Sequence, residues 1–191
     1  ENPLVDSGSQ SDSAACLLDD WQVLPEMQPE DTSSSRPTIL LLEDDPALLW
    51  LLKQHLQSLP VKILATETIA QARHALKENV VDLAILDIMG VEGYQLLEIA
   101  NQRKVTSVML TAHALSPENI VKSFKEGAAS YLPKEEMVNI ASFLCDVFEA
   151  QEQGNNTWVR WYDRMGSFFD KKFGSQWQDD EKEFWEKFPF Y

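Results

Sequence analysis

Between residues 38 and 153 the chain alternates five short apolar runs with five stretches whose apolar residues recur at helical spacing. Thr38-Ile39-Leu40-Leu41-Leu42 is the first run, a strand closed by three acids, Glu43, Asp44 and Asp45. Pro46 suits the first turn of a helix, with Asp45 as its N-cap. That helix is expected to reach about Ser58 and to turn Leu48, Leu51, Leu52 and Leu56 inward. Val61 to Ala65 predicts a second strand and Ile69 to Glu78 a second helix. Leu83 to Leu86 is apolar enough for a strand buried on both faces, and it ends abruptly in Asp87. Tyr94 to Gln102 follows as a short helix, then Ser107 to Thr111 as a fourth strand. Ser116-Pro117 is a helix start, and Gly127 suits the end of that helix. Ala129 to Pro133 predicts a fifth strand, and Glu135 to about Gln153 a fifth helix. Five strand–helix alternations imply an α/β fold, a doubly wound parallel sheet with right-handed crossovers.

The flanks differ from this core. Residues 1–36 are rich in Ser, Asp, Glu, Gln and Pro, a composition that favours a disordered leader. The apolar islands Ala14 to Leu18 and Trp21 to Leu24 offer a docking segment as the alternative. Residues 154–191 hold twelve of the nineteen aromatics. There Trp158, Trp161, Tyr162, Met165, Phe168, Phe169 and Phe173 form a helical stripe, which Gly174 would end. A further helix is expected over Asp179 to Lys187. So wide an aromatic stripe has to be covered. The helix pair either folds back on the core or forms a homodimer or output-partner interface.

Charge narrows the function. A formal charge of −15 argues against nucleic acid, which needs a basic face. Cys16 and Cys145 are too few for a disulfide framework or a zinc site. No apolar run approaches membrane-spanning length, so no membrane partner and a cytoplasmic location are expected. The start at Glu1 rather than methionine suggests a processed or trimmed end.

In a parallel sheet the strands' carboxyl ends lie along one edge, where such folds place their ligands. Here that edge collects Glu43 and Asp44, then Asp87, then Thr111, with Lys134 after the fifth strand. Crowded carboxylates repel, so they raise a pKa or hold a hard cation, and Mg²⁺ is the natural choice. A carboxylate can also act as a nucleophile and become an aspartyl phosphate. A metal, a hydroxyl and an ammonium would then neutralise the new oxygens.

Four motifs stand in order along the chain: Leu41-Leu42-Glu43-Asp44-Asp45, Leu86-Asp87-Ile88-Met89, Met109-Leu110-Thr111-Ala112 and Tyr131-Leu132-Pro133-Lys134. Together they resemble the receiver domain of two-component response regulators, over roughly residues 37–150. The resemblance implies a flavodoxin-like fold of strand order 2-1-3-4-5. With the flanks read above, the expected domain division is 1–36, 37–153 and 154–191. It implies Asp87 as phosphoacceptor, with Glu43, Asp44, Asp87 and the Met89 backbone carbonyl as Mg²⁺ ligands. Thr111 and Tyr131 would be a switch pair, Tyr131 moving inward on phosphorylation, and Lys134 the phosphate-binding cation. The donor would be a phosphohistidine on a sensor histidine kinase or a histidine phosphotransfer protein. Output would run through protein contact rather than DNA. The domain would be no enzyme beyond its own phosphorylation and slow dephosphorylation.

Three departures stand out. The chain runs from Met89 straight into Gly90-Val91-Glu92-Gly93, where the family commonly has a proline. The interval from Asp87 to Thr111 is short, so the third helix is expected to lack about a turn. Glu135 replaces the usual proline after the lysine, so the Lys134–Glu135 bond is expected to be trans. His55 and His74 are expected on helix surfaces, and His113 is close enough to the strand ends to affect access. Two other readings compete: a receiver-like scaffold that takes no phosphate, and a haloacid-dehalogenase-type phosphotransfer enzyme. The second wants another acid two residues after its nucleophile, where Met89 stands.

Overall fold

The computed structural model describes residues 36–88, 91–112 and 115–188, which leaves out nearly all of the expected leader, Met89 and His113. Five parallel strands form one sheet: β1 (Thr38–Leu42), β2 (Lys62–Thr66), β3 (Leu83–Asp87), β4 (Thr106–Thr111) and β5 (Ser130–Pro133). Their order is β2-β1-β3-β4-β5, the doubly wound arrangement. Helices α1 (Pro46–Leu56), α2 (Ile69–Glu78), α3 (Val91–Gln102), α4 (Pro117–Lys125) and α5 (Ile140–Glu152) alternate with them. Every residue of β1 and β3 is buried, which is why these strands are apolar throughout rather than alternating. β2, at the sheet edge, is half-exposed and admits Lys62.

Caps set the helix starts. The Asp45 carboxylate accepts from the N–H groups of Ala47 and Leu48. Thr68 and Gln71 form a reciprocal capping box on α2, and Ser116 accepts from the Asn119 N–H at α4. Gly127, at φ +85°, ends α4, where the Asn101 amide donates to the Glu126 carbonyl at 2.7 Å.

Three expectations shift. In α1 the buried residues are Leu49, Leu52 and Leu56, with Leu48 and Leu51 on the shoulders. The run Leu48-Leu49-Trp50-Leu51-Leu52 is apolar all round and carries little phase information. α3 begins at Val91 rather than Tyr94, enclosing Gly93 in its first turn. The expected fifth helix is split, with a 3₁₀ segment over Lys134–Asn139 before α5. A three-residue repeat keeps positions 134, 137 and 140 on one side. Lys134, Met137 and Ile140 accordingly all turn inward.

The aromatic region forms α6 (Thr157–Phe173), a 3₁₀ turn (Asp179–Glu181) and α7 (Lys182–Glu186), as the stripe and Gly174 predict. Trp158, Trp161, Met165 and Phe169 are buried in the same core as the sheet. The indole N–H groups of Trp158 and Trp161 donate to the Ala128 and Tyr131 carbonyls at 2.6 and 2.5 Å. Phe124 of α4 meets the rings of Trp158, Phe184 and Phe188. Around this core Arg160 pairs with Glu149, Arg164 with Asp146, Lys172 with Glu135 and Lys125 with Glu181. Trp158, Trp161, Met165 and Phe169 of the stripe are thus covered from within the chain, while Tyr162, Phe168 and Phe173 are partly buried. No helix among the described residues is long and apolar enough to cross a membrane.

Candidate functional site

Register delivers the site residues to one end of the sheet. Leu42 pairs with both Thr66 and Leu86, Asp87 with Leu110, and Thr111 with Pro133. Glu43 thus emerges level with Asp87, Thr111 stands one residue further along β4, and Lys134 follows the Pro133 that pairs with Thr111, so all four lie at the same end of the sheet. One carboxylate oxygen from each of Glu43, Asp44 and Asp87 lies within 4.8 Å of the others, Asp44 being exposed and the other two buried. Lys134 closes the group: its Nζ stands 2.6 Å from Glu43 Oε2 and 3.1 Å from Asp87 Oδ2.

The charges are far from relaxed. Burial pushes the Glu43 carboxyl above its ordinary value; Lys134 opposes this and the Asp87 charge adds to it. Burial pulls the Lys134 ammonium down, but the attraction of Glu43 and Asp87 outweighs that and leaves it raised. Lys134 therefore remains a cation. Its approach to Glu43 is a close ion pair without hydrogen-bond alignment, so the buried Oε2 keeps unused acceptor capacity. A buried, incompletely satisfied oxygen beside two further carboxylates suits a hard divalent cation such as Mg²⁺. The Met89 carbonyl, expected as a further ligand, lies outside the described residues, as does His113.

Behind Asp87, Thr111 is buried and shares a hydrogen bond with the Tyr131 phenol. Burial pushes that phenol well above its ordinary value, with Tyr94 adding and Thr111 and the Ser116 backbone opposing. Tyr131 is fully buried, so the inward move expected of it has no outward starting point here. The Lys134–Glu135 bond is trans, as the missing proline predicts, and the ammonium still reaches both carboxylates.

Gly93 went unrecognised as part of the site. A Cβ there would stand 2.9 Å from the Asp87 carbonyl oxygen and 3.2 Å from the Ile88 Cα. Only glycine lets the first turn of α3 lie against the Asp87 backbone. Its signal was present, a glycine six residues after the acid, but a glycine near a helix start reads equally as a break.

The geometry agrees with the comparisons with known proteins. A family model described as the response regulator receiver domain matches residues 39–141. The transcriptional activator protein PfeR of Pseudomonas aeruginosa is 33% identical over 100 residues, covering 51% of this chain and 33% of that protein. The response regulator GtcR of Aneurinibacillus migulanus is 30% identical over 123 residues, covering 60% of this chain and 50% of that one. The chain thus spans no more than half the length of these curated relatives. A receiver domain protein (CheY-like) from Methanospirillum hungatei JF-1 superposes with a TM-score of 0.57 at 28% identity, over 63% of this chain and all of that one. The signal receiver domain of an HD domain-containing protein from Pseudomonas fluorescens Pf-5 gives 0.56 at 28% identity, over 62% of this chain and 98% of its own.

Proposed function

The chain belongs to the response regulator receiver family, and on that premise we propose that it accepts a phosphoryl group on Asp87 from a phosphohistidine of a sensor kinase or phosphotransfer protein. The observation that carries this reading is the Asp87 carboxylate at the carboxyl end of β3, 3.1 Å from the Lys134 ammonium and grouped with Glu43 and Asp44. A carboxylate oxygen of Asp87 attacks phosphorus, the phosphorus–nitrogen bond of the donor breaks, and the electron pair returns to the imidazole. Mg²⁺ held by Glu43, Asp44 and Asp87 would supply positive charge to the transferring oxygens. Lys134 neutralises a second oxygen, and the Thr111 hydroxyl turns from Tyr131 to donate to a third. Glu43, kept buried, holds Lys134 in place and supplies negative charge for the metal. The chain works as a signalling module whose output runs through protein contact.

Intact mass after incubation with acetyl phosphate and Mg²⁺ tests the assignment. The wild-type chain gains one phosphoryl group, and Asp87→Asn gains none. Uptake by Asp87→Asn at the wild-type rate overturns the nucleophile. No uptake by either chain favours a receiver-like scaffold instead.

A further inference from the structure

Helix α6 touches the framework of the phosphoryl site at two points. Trp161 donates its indole N–H to the backbone carbonyl of Tyr131, whose phenol is bonded to Thr111. Lys172, near the far end of α6, pairs with Glu135, the residue that follows Lys134. Helix α6 therefore grips the residue behind the site hydroxyl and the residue beside the site ammonium. The rest of its docking is broad: the Trp158 indole on Ala128, and the packing of Trp161, Phe169, Phe173 and Trp177 in the aromatic core.

We propose that α6 is a built-in latch, antagonistic to phosphorylation, acting through the Trp161–Tyr131 and Lys172–Glu135 contacts. This rests on the reading of Asp87 as phosphoacceptor. A phosphoryl group on Asp87 draws the Thr111 hydroxyl away from Tyr131. The phenol is fully buried and keeps the Ser116 backbone as a partner, so the loss of the Thr111 hydroxyl changes the balance of its contacts inside the core. Re-seating the phenol in this close-packed site puts strain on the same residue whose carbonyl holds Trp161, in a strand of only four residues. That movement disturbs the carbonyl on which Trp161 bonds. At the other end, drawing Lys134 toward phosphoryl oxygens shifts the start of the 3₁₀ segment and with it Glu135. Both displacements act against the docked position of α6. Coupling between sites is reciprocal, so a docked α6 must weaken phosphoryl binding by the factor that phosphoryl binding loosens α6.

The test uses the full chain with Mg²⁺ and beryllofluoride, a phosphoryl mimic. Fluorine NMR reports occupancy of Asp87, and backbone amide exchange reports the docking of residues 157–173. Trp161→Phe keeps an aromatic side chain in the core but removes the indole N–H together with part of the ring volume; Lys172→Gln removes a rim charge at an exposed position without touching the core. Beryllofluoride is expected to speed exchange across 157–173 in the wild type by about fivefold. Each variant is expected to bind beryllofluoride about threefold to fivefold more tightly than wild type. Bound beryllofluoride with unchanged or slowed exchange in α6 overturns the latch and leaves the phosphoacceptor reading intact. So do affinities of both variants that equal the wild-type value or fall below it. Absence of any Asp87-dependent fluorine signal overturns the phosphoacceptor reading and the latch together.

Discussion

Replacing Lys134 by methionine keeps a side chain of similar length and deletes the ammonium that bridges Glu43 and Asp87. Breaking a buried pair from one side costs about 3–5 kcal/mol, because the partner charge stays buried. The lower end applies here. The Lys134 side chain keeps 12% of its exposure, and Glu43 can shed its charge by binding a proton. In the intact protein burial raises the Glu43 carboxyl, Lys134 lowers it and Asp87 raises it again. Without Lys134 the two raising influences remain, opposed by the Asp45 backbone N–H. The folded variant then binds more protons than the unfolded chain between the ordinary carboxyl value and the raised one. Its stability accordingly rises as pH falls through that window and is lost above it. Lys134 itself, raised above its ordinary value, titrates far outside the window. Urea unfolding in EDTA, which keeps a divalent cation from taking the ammonium's place, measures both quantities. The expected loss is about 3 kcal/mol at about pH 7.5. Near pH 5 the loss should be smaller than at pH 7.5, because the raised Glu43 carboxyl binds a proton there and sheds its buried charge. Equal losses at both pH values, or a variant as stable as wild type near neutrality, would refute the compensation of a buried Glu43 charge by Lys134.

Gly93→Ala forces a Cβ against the Asp87 backbone, 2.9 Å from its carbonyl oxygen, and should cost about 1–3 kcal/mol in thermal unfolding; an unchanged Tm counts against that close approach. Phe169→Ala empties a fully buried site between Trp161, Phe173 and Trp177 and should cost about 3–5 kcal/mol in urea. A loss below about 1 kcal/mol would mean that α6 is not part of the cooperative core. Thr68→Ala removes the side-chain acceptor for the Gln71 N–H and should cost about 1 kcal/mol with the phosphoryl site unaffected.

Much of this protein was legible along the chain because its cues are local. Alternating apolar runs and helical stripes set out the strands and helices of a parallel sheet. Asp45 and Ser116 accept from nearby backbone N–H groups at helix starts. Gly127 and Gly174 take the positive φ that ends a helix, at 85° and 87°. The ends of β1, β3 and β4 bring Glu43, Asp87 and Thr111 together for the same reason, since parallel strands have their carboxyl ends at the same end of the sheet.

What the chain order could not decide was which faces meet. The chain order places Lys134 at the strand ends, but its bridging of both Glu43 and Asp87 from a strand that neighbours neither β1 nor β3 goes with the 3₁₀ segment, whose positions 134, 137 and 140 turn inward. Period-3 burial over so few residues is indistinguishable from a helix start in the sequence. Gly93 matters only once α3 lies on the Asp87 carbonyl. The aromatic stripe announced that it needed cover, but hydrophobic burial is non-directional and does not name the surface. The choice fell to the β5 side of the sheet, where Ala128 and Tyr131 present carbonyls to the two indoles while acids of α5 meet Arg160 and Arg164. Such matching of donors to acceptors across distant segments exists only in three dimensions.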